Sequence, residues 1–439
     1  MNSNTLSQFR VALYACFLRA GDALMNAADA LLTDTSAHSF VELSLSACFE
    51  RRWPSLYKAF ENAVIDRQAL QRLFARFAPL PPPEQRLVLG VDASSIARPL
   101  SKTARDRTYV HASNLPEGSK PVVAGWQFST LGVLPETPSS WTYVLDNQRI
   151  ASSSTQGEVA ALQLQALVAL LPARPLLLGD GYYGSVTFLR LTHEIACDKL
   201  LRFANNRVLY RPAPPRPDKP GPGAPKKDGD AFKCHDHTTH GAPDACWQGE
   251  DACGQALAVA CWHNLHFKDA RQITVSVLRV SRQAAKDTKR DPKVSWFVFA
   301  GKQLPALGEV PALYARRYSL EHGFRVDKQD LLWEQVRLRT PEAFQHWTDV
   351  VACVRNQLGL SRELGISRQP WERKQRPGTP SQVRRAMRTI IGQLGTPARM
   401  CQVRGNSPGR RQGALIGKAP RFKVVFKDTE KAAKPAKKV

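Results

Sequence analysis

Apolar residues recur at helical spacing in two stretches of the first 80 residues, FRVALYACFLRAGDALMNAADALL from Phe9 and YKAFENAVIDRQALQRLFARF from Tyr57. They predict a helical N-terminal domain over 1–80. The run Pro81-Pro82-Pro83 closes it, because proline cannot continue a helix. The pattern then turns strand-like: RLVLGVDASS, VVAGWQFSTLGVL and WTYVLDN. A helix follows in TQGEVAALQLQALVALLP, where Thr155 and Glu158 have capping-box spacing. Next come a buried strand (PLLLGDGYYG), a short helix (SVTFLRLTHE) and a strand (KLLRFANNRVLY). Strands first and alternation afterwards predict a mixed α/β sheet with helices packed on it.

Residues 211–230, RPAPPRPDKPGPGAPKKDGD, read as a surface connection. QALAVACWH, RQITVSVLRVS and VSWFVFAG are strand-like again, so 211–300 reads as a β-rich insertion. Helical spacing resumes in VPALYARRYSLEHGFRVDKQDLLWE and AFQHWTDVVACVRNQLGL. We therefore expect the sheet domain to occupy 81–210 and 301–365, and a basic region 366–439 to follow. That last region holds one helix, TPSQVRRAMRTIIGQL, capped by Thr379 with Pro380 at its first position.

Charge narrows the choice of partner. The 439 residues carry 62 Lys and Arg against 38 Asp and Glu, a net charge of +24. Residues 361–439 hold 20 of those basic residues and only 4 of the acids. Such a field favours a polyanion, and we expect nucleic acid. No run reaches the roughly 18 apolar residues of a membrane helix, and the opening residues lack a secretory pattern. Nine scattered cysteines do not form a disulfide framework, so a cytoplasmic setting is expected. The cluster CHDHTTH, with Cys246, Cys253, Cys261, His263 and His266 beyond it, invites a zinc reading; its spacings match none of the paired zinc patterns.

Two acids follow apolar strand-like runs: Asp92 after LVLGV and Asp180 after LLLG. A carboxylate shielded at a strand end needs a partner, and a divalent cation such as Mg²⁺ is a natural one. The helix from Pro311 adds a third. At about 100° per residue, Tyr314, Arg317, Glu321 and Lys328 fall within a stripe about 60° wide. Arg325 lies near its edge, and Leu313, Leu320, Phe324 and Leu331 form the adjoining apolar stripe. The polar stripe thus borders the core face instead of opposing it.

The spacing Tyr314-x₂-Arg317-x₃-Glu321-x₆-Lys328, after Asp92 in LGVDASS and Asp180 in LLGDGYYG, resembles the Tyr-Arg-Glu-Lys signature of bacterial insertion-sequence transposases of the DDE class. The resemblance covers roughly residues 85–350 as an architecture and is specific at three short motifs. It implies an RNase H-like catalytic domain interrupted by a β insertion. It also implies a metal-dependent endonuclease and strand transferase, with Asp92, Asp180 and Glu321 as catalytic and metal-holding residues and two Mg²⁺ or Mn²⁺ ions. Tyr314, Arg317, Lys328 and Arg325 become candidate DNA contacts. The implied partners are double-stranded DNA, as terminal inverted repeats and target, and a second copy of the chain on paired ends; the implied place is the bacterial nucleoid. One departure is that Ala93 and Ser94 follow Asp92 where many relatives carry a second acid. Trp247, Trp262 and Trp296 in the insertion are possible base platforms, although a core role fits them better. The rival readings are a nuclease that does not join DNA, a catalytically silent DNA-binding protein, and an RNA-binding protein using the basic tail.

Overall fold

The computed structural model describes residues 3–112, 121–215, 224–251, 254–283, 285–287, 292–372, 378–402, 409, 412–415 and 417–427. The N-terminal section holds helices α1 (Ser3–Cys16), α2 (Gly21–Thr33), α3 (Phe40–Leu43), α4 (Trp53–Asn62) and α5 (Arg67–Arg76). Each of the two long helical stretches expected from spacing is broken once. Strand β1 (Phe17–Arg19) pairs antiparallel with β2 (Val64–Ile65), and the chain re-enters α2 through Ala20 at φ 63°. The β-branched pair Val64-Ile65 favours that pairing over continued helix.

The main sheet has 12 strands: β3 (Val88–Ala97), β4 (Thr108–His111), β5 (Val122–Val133), β6 (Tyr143–Ile150), β7 (Leu176–Gly179), β8 (Asp198–Phe203), β9 (Val208–Tyr210), β10 (Ala231–Lys233), β11 (Ala245–Glu250), β12 (Ala256–Phe267), β13 (Ala270–Arg282) and β14 (Val294–Ala300). Its first part runs β6-β5-β3-β7-β8, with β3, β5 and β6 antiparallel and β7 and β8 parallel to β3. This mixed order is compatible with an RNase H-like fold. Between β6 and β7 lies α6 (Gln156–Val168), opened by the Thr155/Glu158 capping box; α7 (Val186–Leu191), capped by Ser185, connects β7 to β8.

The strands of 208–300 do not form a separate sheet. β14 pairs antiparallel with β8, and β13, β12 and β9 continue outward from it, so one sheet runs through both regions. Trp262 and Trp296 are buried there, 2% and 5% exposed, against Phe232 and His240. Trp247 lies under Gly249 and Gly308, whose missing side chains leave room for its ring. All three tryptophans are thus packing residues.

The chain returns through α8 (Val310–Ala315), α9 (Tyr318–Gln329) and α10 (Pro341–Leu360), and α11 (Pro380–Leu394) follows, capped by Thr379. Arg10 of α1, 2% exposed, joins these parts. It pairs with Asp29 of α2 at 2.7 Å, and donates to Gln357 of α10 at 2.8 Å and to the Gly395 carbonyl after α11 at 3.1 Å. Beyond α11, much of the basic C-terminal region lies outside the described residues, the final KAAKPAKKV included. No helix among the described residues is long and apolar enough to cross a membrane.

Candidate carboxylate site

Three elements meet at the middle of the sheet: β3 with Asp92, the end of β7 with Asp180, and α9 with Glu321. The first contact is set by a missing side chain. A Cβ on Gly90 would stand 2.8 Å from both Leu134 and Leu320, so only glycine lets α9 pack this closely on β3. Gly90 and Asp92 are two apart on the strand and share one face. Docking Leu320 over Gly90 therefore brings its neighbour, Glu321, toward Asp92. Beside them, β7 runs parallel to β3 with Leu178 opposite Gly90, and the same register carried two residues on sets Asp180 level with Asp92. The Asp180 side chain accepts the Tyr182 N–H at 3.0 Å, and its carbonyl accepts the Tyr183 N–H at 3.1 Å.

The helix expected from Pro311 to Glu334 is two helices. Between α8 and α9 the chain stays right-handed but tightens: Arg316 and Arg317 donate to Leu313 and Tyr314, three residues back instead of four. This tighter winding stacks residues i and i+3. Tyr314 and Arg317 thereby come together, with the guanidinium 5.9 Å from the ring centre. Arg316 fixes the junction by donating to the carbonyls of Pro135 at 2.7 Å and Leu134 at 3.0 Å.

Arg317 lies at the centre of the site. One nitrogen is 3.0 Å from Asp92 and the other 2.6 Å from Glu321. Asp92 and Arg317 are both 15% exposed, whereas Glu321 at 44% opens to solvent. Burial pushes the Asp92 carboxyl up to about 6; Asp180 and Glu321 push the same way, against Arg317 and the Ala93 N–H. Burial opposes the charge on Arg317, but Tyr314, Asp92, Glu321 and Asp180 outweigh it and raise the guanidinium above its ordinary value. Tyr314 is itself raised by burial, with its ring edge-on to Phe297 at 4.6 Å.

The other residues of the stripe are placed differently. Lys328 donates to the Ser95 carbonyl at 2.8 Å and lies 3.6 Å from Glu334. Arg325 is exposed and no ion pair holds it among the described residues. The sequence pattern gave no warning of the support beneath α9. There Asp327 and Arg355 form a buried pair at 2.8 Å, and the guanidinium of Arg355 passes over Gly323, where any Cβ would collide with it.

Among the described residues, no three His, Cys, Asp or Glu side chains stand close enough to hold a metal ion. Arg317 instead takes the place between Asp92 and Glu321. The donor set nevertheless fits a hard divalent cation: two carboxylates hold one guanidinium, a third acts on its charge, and Mg²⁺ prefers a few carboxylate oxygens completed by water and phosphate. In the Cys/His-rich segment, His240 stacks on Phe232 at 4.5 Å, His263 bonds Ser276 and His266 bonds Asp228; Cys253 lies outside the described residues.

A half-buried Asp on the central strand, an Asp at the end of its parallel neighbour and a helical Glu define an acid-lined site on a mixed α/β sheet. The family model of the DDE superfamily endonucleases matches residues 12–262, and the chain belongs to that family. The matched stretch contains Asp92 and Asp180 and ends before the helix of Glu321. DDE endonuclease domains generally use divalent metal ions. No curated protein matches the chain.

Proposed function

We propose that the protein is a DDE transposase of a bacterial insertion sequence that cuts DNA at the element's ends and transfers the exposed strand into target DNA. The observation that carries this reading is the joint grip of Arg317 on Asp92 and Glu321, with Asp180 close enough to act on both charges. Arg317 and Glu321 follow Asp92 by 225 and 229 positions, and a cluster of acids around one guanidinium with a perturbed carboxyl is the arrangement that functional sites favour.

Asp92, Asp180 and Glu321 would hold Mg²⁺ or Mn²⁺, two ions per site, supplying charge relief on the phosphate and a more acidic water. The chain's own residues do the positioning. Arg317 has two nitrogens in a planar fork, and so grips a scissile phosphate in the geometry it now uses for two carboxylates. Tyr314 backs the guanidinium and limits its swing. Lys328, bonded to the Ser95 carbonyl three residues along β3 from Asp92, supplies a second cation for a further phosphate. Exposed Arg325 adds a further contact at the outer edge. No covalent protein–DNA intermediate is required, so no Ser, Tyr or Cys nucleophile is assigned to the reaction.

The test is cleavage and joining of end-labelled DNA by purified protein with Mg²⁺ or Mn²⁺, using as substrate the imperfect inverted repeats that should flank the gene. Asp180→Ala should abolish both steps while leaving DNA binding in place. Undiminished cleavage by that variant would sink the reading. Cleavage without joining would favour the nuclease-only alternative.

A further inference from the structure

The carboxylate site leaves unexplained a groove of about 560 Å³ beyond the far end of β3, between α4 and the segments around 101–104 and 337–339. Its lining includes Lys58, Arg337 and Arg339 against a single acid, Glu61, and Glu61 already pairs with Lys58 at 2.6 Å. Burial alternates along 336–339: Val336 and Leu338 are inside, and Arg337 and Arg339 face out. Both guanidiniums therefore point to the same side, and among the described residues neither has an ion pair. The Thr103 hydroxyl adds a donor to the wall, and Trp53, 55% exposed, presents an indole at the rim.

The groove is rigidly joined to the carboxylate site. Arg98, 1% exposed at the end of β3, donates to the carbonyls of Glu334 at 2.9 Å and Val336 at 2.7 Å. That clamp fixes the approach of Arg337 and Arg339 to the strand that carries Asp92. Lys328, bonded to Ser95, stands between the two sites. Asp92 to Ala97 is five residues, or about 17 Å of strand, which corresponds to roughly five base steps at 3.4 Å each along one DNA strand.

We propose that this groove is a second DNA subsite, which takes the sugar–phosphate backbone of the duplex flanking the cut at least about five base steps away. Arg337 and Arg339 neutralise phosphates, Thr103 donates to one, and Trp53 lies against deoxyribose. The occupant follows from charge: two unpaired guanidiniums on one side call for an anion repeated along a line, and backbone contacts position a duplex without reading its sequence. The inference rests on the reading that the substrate is DNA, but not on the cutting chemistry.

The experiment measures binding of a fluorescein-labelled duplex of arbitrary sequence by fluorescence anisotropy over a salt series. It uses full-length protein carrying Asp92→Asn, so that binding is read without cleavage and stands whether or not the parent cuts DNA. Arg337→Gln with Arg339→Gln should lower the slope of log K against log salt by about two, at roughly 0.9 per phosphate contact. Trp53→Ala should weaken binding a few-fold with the slope unchanged. The comparison is Lys226→Gln with Lys227→Gln, an equal charge loss on the exposed 224–230 segment. A groove variant that changes the slope no more than this comparison, at an unchanged melting temperature, overturns the proposal.

Discussion

Arg317 donates to Asp92 at 3.0 Å from a position 225 residues further along the chain, while its other arm holds Glu321 at 2.6 Å. A guanidinium there does for two carboxylates what a divalent cation would do: it makes their approach tolerable in a partly shielded place. The two cations are then competitors for the same oxygens. Arg317→Gln should bind Mn²⁺ several-fold more tightly than the parent by isothermal titration calorimetry, and should cut DNA at least tenfold more slowly, because the phosphate has lost its fork. A tenfold change is about 1.4 kcal/mol, well within the range of one charge-assisted hydrogen bond. If metal affinity falls in this variant, Arg317 is organising the acids and not excluding the ion.

Gly323 sets two effects of opposite sign against each other. It lies inside α9, where alanine would ordinarily gain about 1 kcal/mol of helix propensity. Here a Cβ would collide with the guanidinium of Arg355 and drive it from Asp327, both of them buried. Breaking a buried ion pair costs on the order of 3–5 kcal/mol. Gly323→Ala should therefore destabilise the protein by about 2–4 kcal/mol, the difference of those terms. Urea unfolding measures it, and a variant as stable as the parent would show that the pair can shift without loss.

Much of this site was readable in the chain because it rests on local pattern. Both acids follow apolar runs, although Asp92 lies inside β3, which continues to Ala97, and only Asp180 stands at a strand end; Glu321 shares a helical face with Arg317 and Lys328, so short-range periodicity sufficed. What periodicity could not supply was pairing. Nothing local in VSWFVFAG says that it will lie antiparallel to KLLRF and lengthen the main sheet, because an apolar strand fits equally well beside any other. The break between α8 and α9 was hidden for a related reason: a turn with bonds three residues back keeps nearly the same polar stripe. The roles of Gly90 and Gly323 were equally silent. A glycine in sequence does not say which neighbour needs its empty space.

The histidines of the extended sheet give a pH dependence distinct from that of the carboxylate site. Burial holds His240 below its ordinary value of 6.5, with nearby Arg279 and His237 acting the same way against the Lys233 carbonyl and Asp236. Its ring stacks on Phe232 and meets Trp262 and Trp296, while Nε2 donates to the Lys233 carbonyl at 2.9 Å. Burial also lowers His266, assisted by Arg271 and opposed by Asp228. A group whose folded pKa is depressed binds its proton more readily in the unfolded chain. Its contribution to stability is therefore complete above pH 6.5 and is lost as the pH falls below that value. The two histidines should accordingly lower the melting temperature between pH 7.5 and pH 5.5, while Asp92, raised to about 6, acts in the opposite sense over the same interval. His240→Phe keeps an aromatic ring on Phe232 and removes one of the two titrations, so its melting temperature should fall less over the same interval. An identical fall in parent and variant would place the pH sensitivity elsewhere in the molecule.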